Sequence, residues 1–322
     1  DTSDDGTFSL LITDPGDMSA QQDVSIFLYE TFLAGDVRPH GDDLNTDGDI
    51  EDAGEFGDDL VVAPDVVNTL MVATGAPSTD VPDSLSNLFD AFDTNPIDED
   101  ANGDGDVYDE TERGGDGFVE AADVIVTLKR ATMVPEYPYI RRVDNEYPFS
   151  TRTDGNRHMA NRDGPDTLYF GEAEGAPGTI AQVAIWLKHN SETPLTGLVS
   201  GFGAFLEEGE YSPEEALSFE PEDGIDMFQA NDGNDFVSVL LTDIPEQAEG
   251  ATVLLGHLEV EIPEDMETGS SLTLTAGSAS GSGPEYEFIT VDGLTGVITT
   301  MLQSNVITYI SSWNLVGLPL AV

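Results

Sequence analysis

Two stretches of the chain, 57 residues apart, spell nearly the same eight residues. Asp43-Leu-Asn45-Thr-Asp47-Gly48-Asp49-Ile50 and Asp100-Ala-Asn102-Gly-Asp104-Gly105-Asp106-Val107 both read D-x-N-x-D-G-D-[I/V]. Oxygen-bearing side chains at the first, third and fifth positions of a tightly turned loop converge on one point, which is what a hard cation requires. The glycine permits the sharp turn, and the aliphatic residue anchors the loop to a core. A chain with two such loops must fold so that each is held between flanking elements.

Those flanks repeat too. Asp65-Val-Val-Asn-Thr-Leu70 matches Asp123-Val-Ile-Val-Thr-Leu128, 58 residues on. An apolar, helix-like segment precedes each loop, Val24 to Leu33 and Leu85 to Phe92. In the second, Leu85, Leu88, Phe89 and Phe92 lie at i, i+3, i+4 and i+7, one face of a helix. Asp65 and Asp123 stand where an N-cap belongs, ahead of aliphatic helical positions. Residues 20–134 therefore read as helix–loop–helix twice, each loop with the front half of an EF-hand-type calcium site.

Composition sets the surroundings. Sixty-four acids against ten bases give a formal net charge of -54 in 322 residues, which excludes nucleic acid and anionic membrane surfaces as partners. Such charge strains a compact state by self-repulsion, so salt or bound divalent cations must relieve it; a halophilic or calcium-loaded surface protein fits. Hydrophobic residues make up 39%, enough for a core. No cysteine is present, so disulfides and thiolate sites are excluded. No apolar run reaches transmembrane length, which predicts no membrane insertion. The chain opens at Asp1, as a processed, exported product would.

Beyond the repeat the texture changes. Residues 135–165 are rich in proline and tyrosine, and seven of the ten bases cluster between Lys129 and Arg162. This belt (Arg130, Arg141, Arg142, Arg152, Arg157, Arg162) reads either as a linker between two acidic domains or as a contact for the acidic face of another subunit. Residues 166–310 lose helical period and show about nine short β-rich runs, the pattern of an antiparallel sandwich or jelly roll. Residues 1–19 hold one candidate strand, Phe8 to Ile12. Residues 311–322 are apolar, with Trp313, Leu315, Val316 and Leu318; they suit a last sandwich strand or one donated to a neighbour's sheet edge. The fold class expected is α+β and multi-domain.

The helical repeat resembles a dockerin, whose loop is D-x-N-x-D-G-x-[IV], closed by an acid at position twelve and followed by D-[VL]-x-x-L. Asp43, Asn45, Asp47, Ile50, Asp65, Val66 and Leu70 match, as do Asp100, Asn102, Asp104, Val107, Asp123, Val124 and Leu128. Position twelve departs from the pattern, being Gly54 or Thr111. An insert separates each loop front from its closing Asp and carries acids of its own. The resemblance implies two or more calcium ions held among Asp43, Asn45, Asp47, Asp49, Asp52 and Asp65 in one copy. In the other they are Asp100, Asn102, Asp104, Asp106, Asp109, Glu112, Asp116 and Asp123. Asp65 and Asp123 either close extended loops, or each insert holds a second ion. More weakly, Gln182 to Leu187, Phe236 to Asp243, Thr252 to Ile262 and Val291 to Ile298 resemble strands of cohesins, the sandwich modules that bind dockerins.

Together these readings predict a non-catalytic, extracellular or cell-surface structural protein. It is expected to associate with copies of itself, head to tail, into a filament or layer, or with another cohesin- or dockerin-type protein. The alternatives are a cell-surface adhesin or scaffold-binding module, and a calcium-dependent carbohydrate-binding or hydrolytic protein. His40, His158, His189 and His257 lack metal-site spacing, the serines lack a G-x-S-x-G context, and no carboxylate pair is singled out for catalysis.

Overall fold

A computed structural model describes residues 6–13, 19–26, 31–38, 44, 46, 51, 52, 54–84, 86–95, 114–132, 140–142, 165–206, 211–284 and 288–301. Strands dominate. At the N-terminus β1 (Gly6–Thr13) and β2 (Ser19–Ile26) form an antiparallel hairpin. A short strand, β3 (Thr31–Leu33), pairs with β4 (Ile140–Arg142). Among the described residues three helices follow the repeat: α1 (Ala63–Thr74), α2 (Asn87–Phe92) and α3 (Ala121–Ala131).

The first copy corrects an expectation. The segment Val24 to Leu33 is not a helix before the loop; its described parts lie in β2 and β3. Thr, Phe and Leu in β3 suit a pleated, half-buried position, and that position exists because the supposed linker returns β4 to its side. The second copy keeps its helix, α2, capped by the Ser86 hydroxyl, which accepts from Phe89 N–H at 3.1 Å.

The sandwich comprises β5 (Asp166–Phe170), β6 (Ala173–Gly175), β7 (Thr179–Lys188), β8 (Gly197–Leu206), β9 (Ser218–Pro221), β10 (Asp226–Asp232), β11 (Phe236–Thr242), β12 (Thr252–Ile262), β13 (Ser271–Ser282), β14 (Phe288–Gly293) and β15 (Thr295–Thr300). Strand order runs β10-β11-β8-β13-β14-β5-β7-β12-β9, with β15 pairing β13 and β6. Pairing is antiparallel except at β14–β5 and β15–β6. Strand β14 bonds to both β13 and β5, so one continuous sheet folds over on itself. The last of the nine β-rich runs expected within residues 166–310, Val306 to Ile310, lies outside the described residues, while β6, β9 and β10 had no clear alternation to announce them.

Alternation decides the layers. Phe202 and Ala204 of β8, Val237 and Val239 of β11, Val183 and Ile185 of β7, and Leu258 and Val260 of β12 all enter one buried core. The other side of β8, β10, β11 and β13 is covered by α1 and α3. There Val66, Leu70 and Ala73 of α1 and Ala121 and Val124 of α3 share a cluster with Val199 and Leu240 of the sheet. A third cluster, including Phe32, Val37, Phe56, Leu88 and Phe92, joins the two repeat copies.

Candidate functional site: the acidic repeat and its seat on the sandwich

The repeat folds around carboxylates that hold backbone. Asp65 lies at the third position of α1, not at the N-cap, which is Val62. Its Oδ1 accepts N–H bonds from Val37 (2.9 Å) and Arg38 (2.8 Å), and its Oδ2 accepts from Val62 (2.8 Å). Asp123 does the same in α3: Oδ1 accepts from Thr94 (2.7 Å) and Asn95 (2.8 Å), and Oδ2 from Glu120 (2.8 Å). Each acid ties the entry of its loop to the start of the helix after it. As third helical residue it also satisfies a donor that the helix leaves orphaned. The anticipated N-cap role is thus corrected by three residues in both helices, because the side chain reaches back rather than forward.

A second pair of acids completes the arrangement. Asp36 accepts from Asp58 N–H with both oxygens at 3.1 Å, and Asp93 accepts from Asp116 N–H (2.9 Å) and Gly117 N–H (2.7 Å). Sequence reading missed both, although a repeated Phe-x-Ala-x-Asp-x-x-Pro at Phe32 and Phe89 marks them. Another omission is Glu55, buried at 2% exposure, whose Oε1 accepts from Leu44 N–H at 2.7 Å. It follows Gly54, one position beyond the place where a closing acid was expected, and Glu112 stands 57 residues on.

Such crowding shifts protonation. Burial pushes the Asp36 carboxyl up to about 6, with the charges of Asp65 and Asp58 adding to the rise. Burial raises Asp65 as well, and the Asp58 charge adds to it. Asp123 is raised well above the ordinary carboxylate range by burial and by the charges of Asp93, Asp116 and Glu120.

The metal ligands expected from sequence divide accordingly. Asp43, Asn45, Asp47, Asp49, Asp100, Asn102, Asp104, Asp106, Asp109 and Glu112 lie outside the described residues. Asp52 is exposed; Asp116 is buried, and its Oδ1 accepts from Phe118 N–H at 3.0 Å. Among the described residues, no three His, Asp or Glu side chains form a group that could hold a metal. The buried carboxylates of Asp36, Asp65, Asp93 and Asp123 direct oxygens to backbone N–H groups on either side of the two loop segments, so they act as braces and any ion ligands would come from the loops themselves.

The arginines are corrected more sharply. Arg141 is 1% exposed; one terminal nitrogen donates to Asp90 Oδ1 (2.9 Å), to the Asp93 carbonyl (2.7 Å) and to the Asp90 carbonyl. Arg130 is buried and donates to the Ala34 carbonyl at 2.9 Å. Both are internal staples of the repeat, so neither offers a fork to another subunit. Arg142 is described only as strand backbone, and Arg152, Arg157, Arg162, Trp313, Leu315, Val316 and Leu318 lie outside the described residues.

The seat of α1 and α3 on the sandwich is narrow and partly polar. Thr74 and Ser238 hydroxyls share a buried hydrogen bond of 2.7 Å, and Ala121 N–H at the start of α3 donates to Ser280 Oγ at 2.9 Å. Ser78 N–H donates to Asp232 Oδ2 at 2.6 Å. Glycines make the approach possible: a Cβ on Gly197 would lie 2.5 Å from Ile125 Cδ1, and one on Gly201 would lie 2.3 Å from Phe236 Cζ on the same sheet face and 3.1 Å from the Thr74 carbonyl oxygen. Elsewhere, His189 and Asp166 pair at 2.8 Å, both with side chains 0% exposed, so this dyad offers no route to a substrate.

No family model matches the chain, and no curated protein matches it. Solved structures do. The sixth cohesin from Acetivibrio cellulolyticus scaffoldin B, solved with a Cel5 dockerin mutant, is 13% identical. It covers 42% of this chain and 99% of that one, with a TM-score of 0.34. A non-cellulosomal cohesin from the hyperthermophilic archaeon Archaeoglobus fulgidus is 14% identical over 44% and 94% of the two chains, TM-score 0.33. The seventh ScaB type I cohesin from Pseudobacteroides cellulosolvens is 14% identical over 45% and 98%, TM-score 0.34. Likeness at this level leaves function to be read from the chain's own surfaces.

Proposed function

We propose that the chain is a non-catalytic, extracellular structural protein that works by protein–protein association of the cohesin–dockerin kind and is stiffened by calcium at its two acidic loops. The observation that carries this reading is the seat: a repeat braced by buried carboxylates packs two helices on a sandwich face through matched glycines and hydroxyls. Calcium at residues 43–50 and 100–107 would set the loops that Asp36, Asp65, Asp93 and Asp123 brace, and so the spacing of α1 and α3.

The seat also revises the joint expected from sequence. Its sheet face holds the chain's own repeat, so a head-to-tail joint through it requires copies to exchange repeats. Association into a filament or layer then falls to other surfaces, with residues 311–322 as a strand donated to an edge such as β10, which ends its sheet. The test is light scattering and negative-stain microscopy of the chain in calcium, in chelator, and after truncation behind Ile310. Calcium-dependent particles lost on truncation are expected. Monomers at high concentration in calcium would overturn self-association. They would favour the alternative that the closed seat also suits, an adhesin or scaffold-binding protein, shown by one-to-one capture of a foreign dockerin or cohesin.

A further inference from the structure

The two outer faces of the sandwich differ. One carries α1 and α3. The other, formed by β5, β7, β12 and β9, bears part-exposed side chains. Its register places Tyr169 beside Trp186 and Trp186 beside Leu254, one apolar row across three strands. The two rings are nearly parallel, 12° apart, with centroids 6.5 Å from each other. All three side chains are part-exposed, while their strand neighbours Leu168, Ile185, Leu187 and Leu255 are buried and fill the core. The aromatic row is therefore not needed for the core, and it interrupts a face that alternation would make polar.

Polar residues flank the row on both sides. Lys188, exposed, lies two residues along β7 from Trp186, between Thr167 and Thr252. On the opposite flank Ala184 pairs with His257, and His257 with Glu220. A part-exposed apolar row with hydrogen-bond donors and acceptors along both margins matches a pyranose, which has an apolar C–H face and a rim of hydroxyls. Charge selects among sugars. A net charge of -54, with Glu220 and Glu222 beside His257, disfavours uronic or sulfated chains. Lys188 in the adjoining row disfavours a cation seated over Trp186.

We propose that this face binds a neutral glycan, stacked on Tyr169 and Trp186 and hydrogen-bonded at its margins by Lys188, His257 and Glu220. The site is independent of the acidic loops and of self-association. The test uses the full chain in calcium. Affinity electrophoresis and titration calorimetry are run with mixed-linkage β-glucan, xylan and mannan, and with alginate as the acidic control. At least one neutral polysaccharide should retard the protein and alginate should not. Trp186→Ala and Tyr169→Ala should each weaken binding about tenfold or more with an unchanged melting temperature. Trp186→Phe, which keeps a ring, should retain part of the affinity and guards against misfolding of the alanine variant. The proposal fails if no neutral polysaccharide binds, if Trp186→Ala binds as the parent does, or if alginate binds best. It also fails if Trp186→Ala changes only the mass of the particles, since the face would then be a contact between copies.

Discussion

Replacing Asp123 by alanine tests whether these carboxylates are backbone clamps or ion ligands. The substitution strands three backbone N–H groups, those of Thr94, Asn95 and Glu120, now held at 2.7 to 2.8 Å. A buried donor left without its acceptor costs about 1–3 kcal/mol, so the gross loss is about 3–9 kcal/mol. Removing a buried charge repelled by Asp93, Asp116 and Glu120 returns part of that. A net loss of about 3 kcal/mol is expected, which lowers the melting temperature of a unit this size by about 6–12 °C. Asp123→Asn keeps a carbonyl oxygen for Thr94 and Asn95 and loses only the Glu120 bond, so it should fall between the parent and Asp123→Ala. Scanning calorimetry in saturating calcium measures the order, and titration calorimetry counts ions. A clamp leaves the calcium stoichiometry unchanged in both variants. Loss of one ion per chain, or an alanine variant as stable as the parent, would refute the clamp.

Three further outcomes follow from the same geometry. In chelator, melting temperature should rise as pH falls from 7 to 5: Asp36 binds its proton more tightly folded (about 6) than unfolded (3.8), so this stabilisation is full below about 4 and lost as pH rises through 6. A thermal midpoint that drops over that interval would count against the buried acids. Gly201→Val should overpack the seat by about 1–3 kcal/mol. Faster amide exchange at Ala121 and along α1, with β7 and β12 unchanged, is the expected signature; uniform acceleration would point to the whole sandwich instead. Arg141→Met removes the buried cation beside Asp90 and should cost about 3–5 kcal/mol by chemical denaturation. Adding Asp90→Asn should recover part of it, and a neutral single substitution would show that the pair contributes nothing.

Much of the sandwich was legible along the chain. Eight of the expected runs, such as Ile180 to Lys188 and Thr252 to Ile262, fall on observed strands because one face of each is apolar and the period of two survives. Strands β9 and β10, with Glu220, Asp226 and Asp232, lack that contrast and went unread. Helix α3 followed from its apolar stripe, whereas Val24 to Leu33 has the composition of either element and became strand only because partners were available.

Local pattern thus determined the tandem repeat, the helices at Asp65 and Asp123 and the alternation of the sandwich, since period and turn chemistry are properties of neighbouring residues. Tertiary structure alone decided what each charged group does. Asp65 acts on Val37, 28 residues away, and Thr74 meets Ser238 across 164. Those separations leave no period to read. An acid that accepts three backbone N–H groups carries the same letter as one that holds an ion. Arg141, which the sequence offered as a surface contact, is buried because β4 pairs with β3, and only the folded chain brings those strands together.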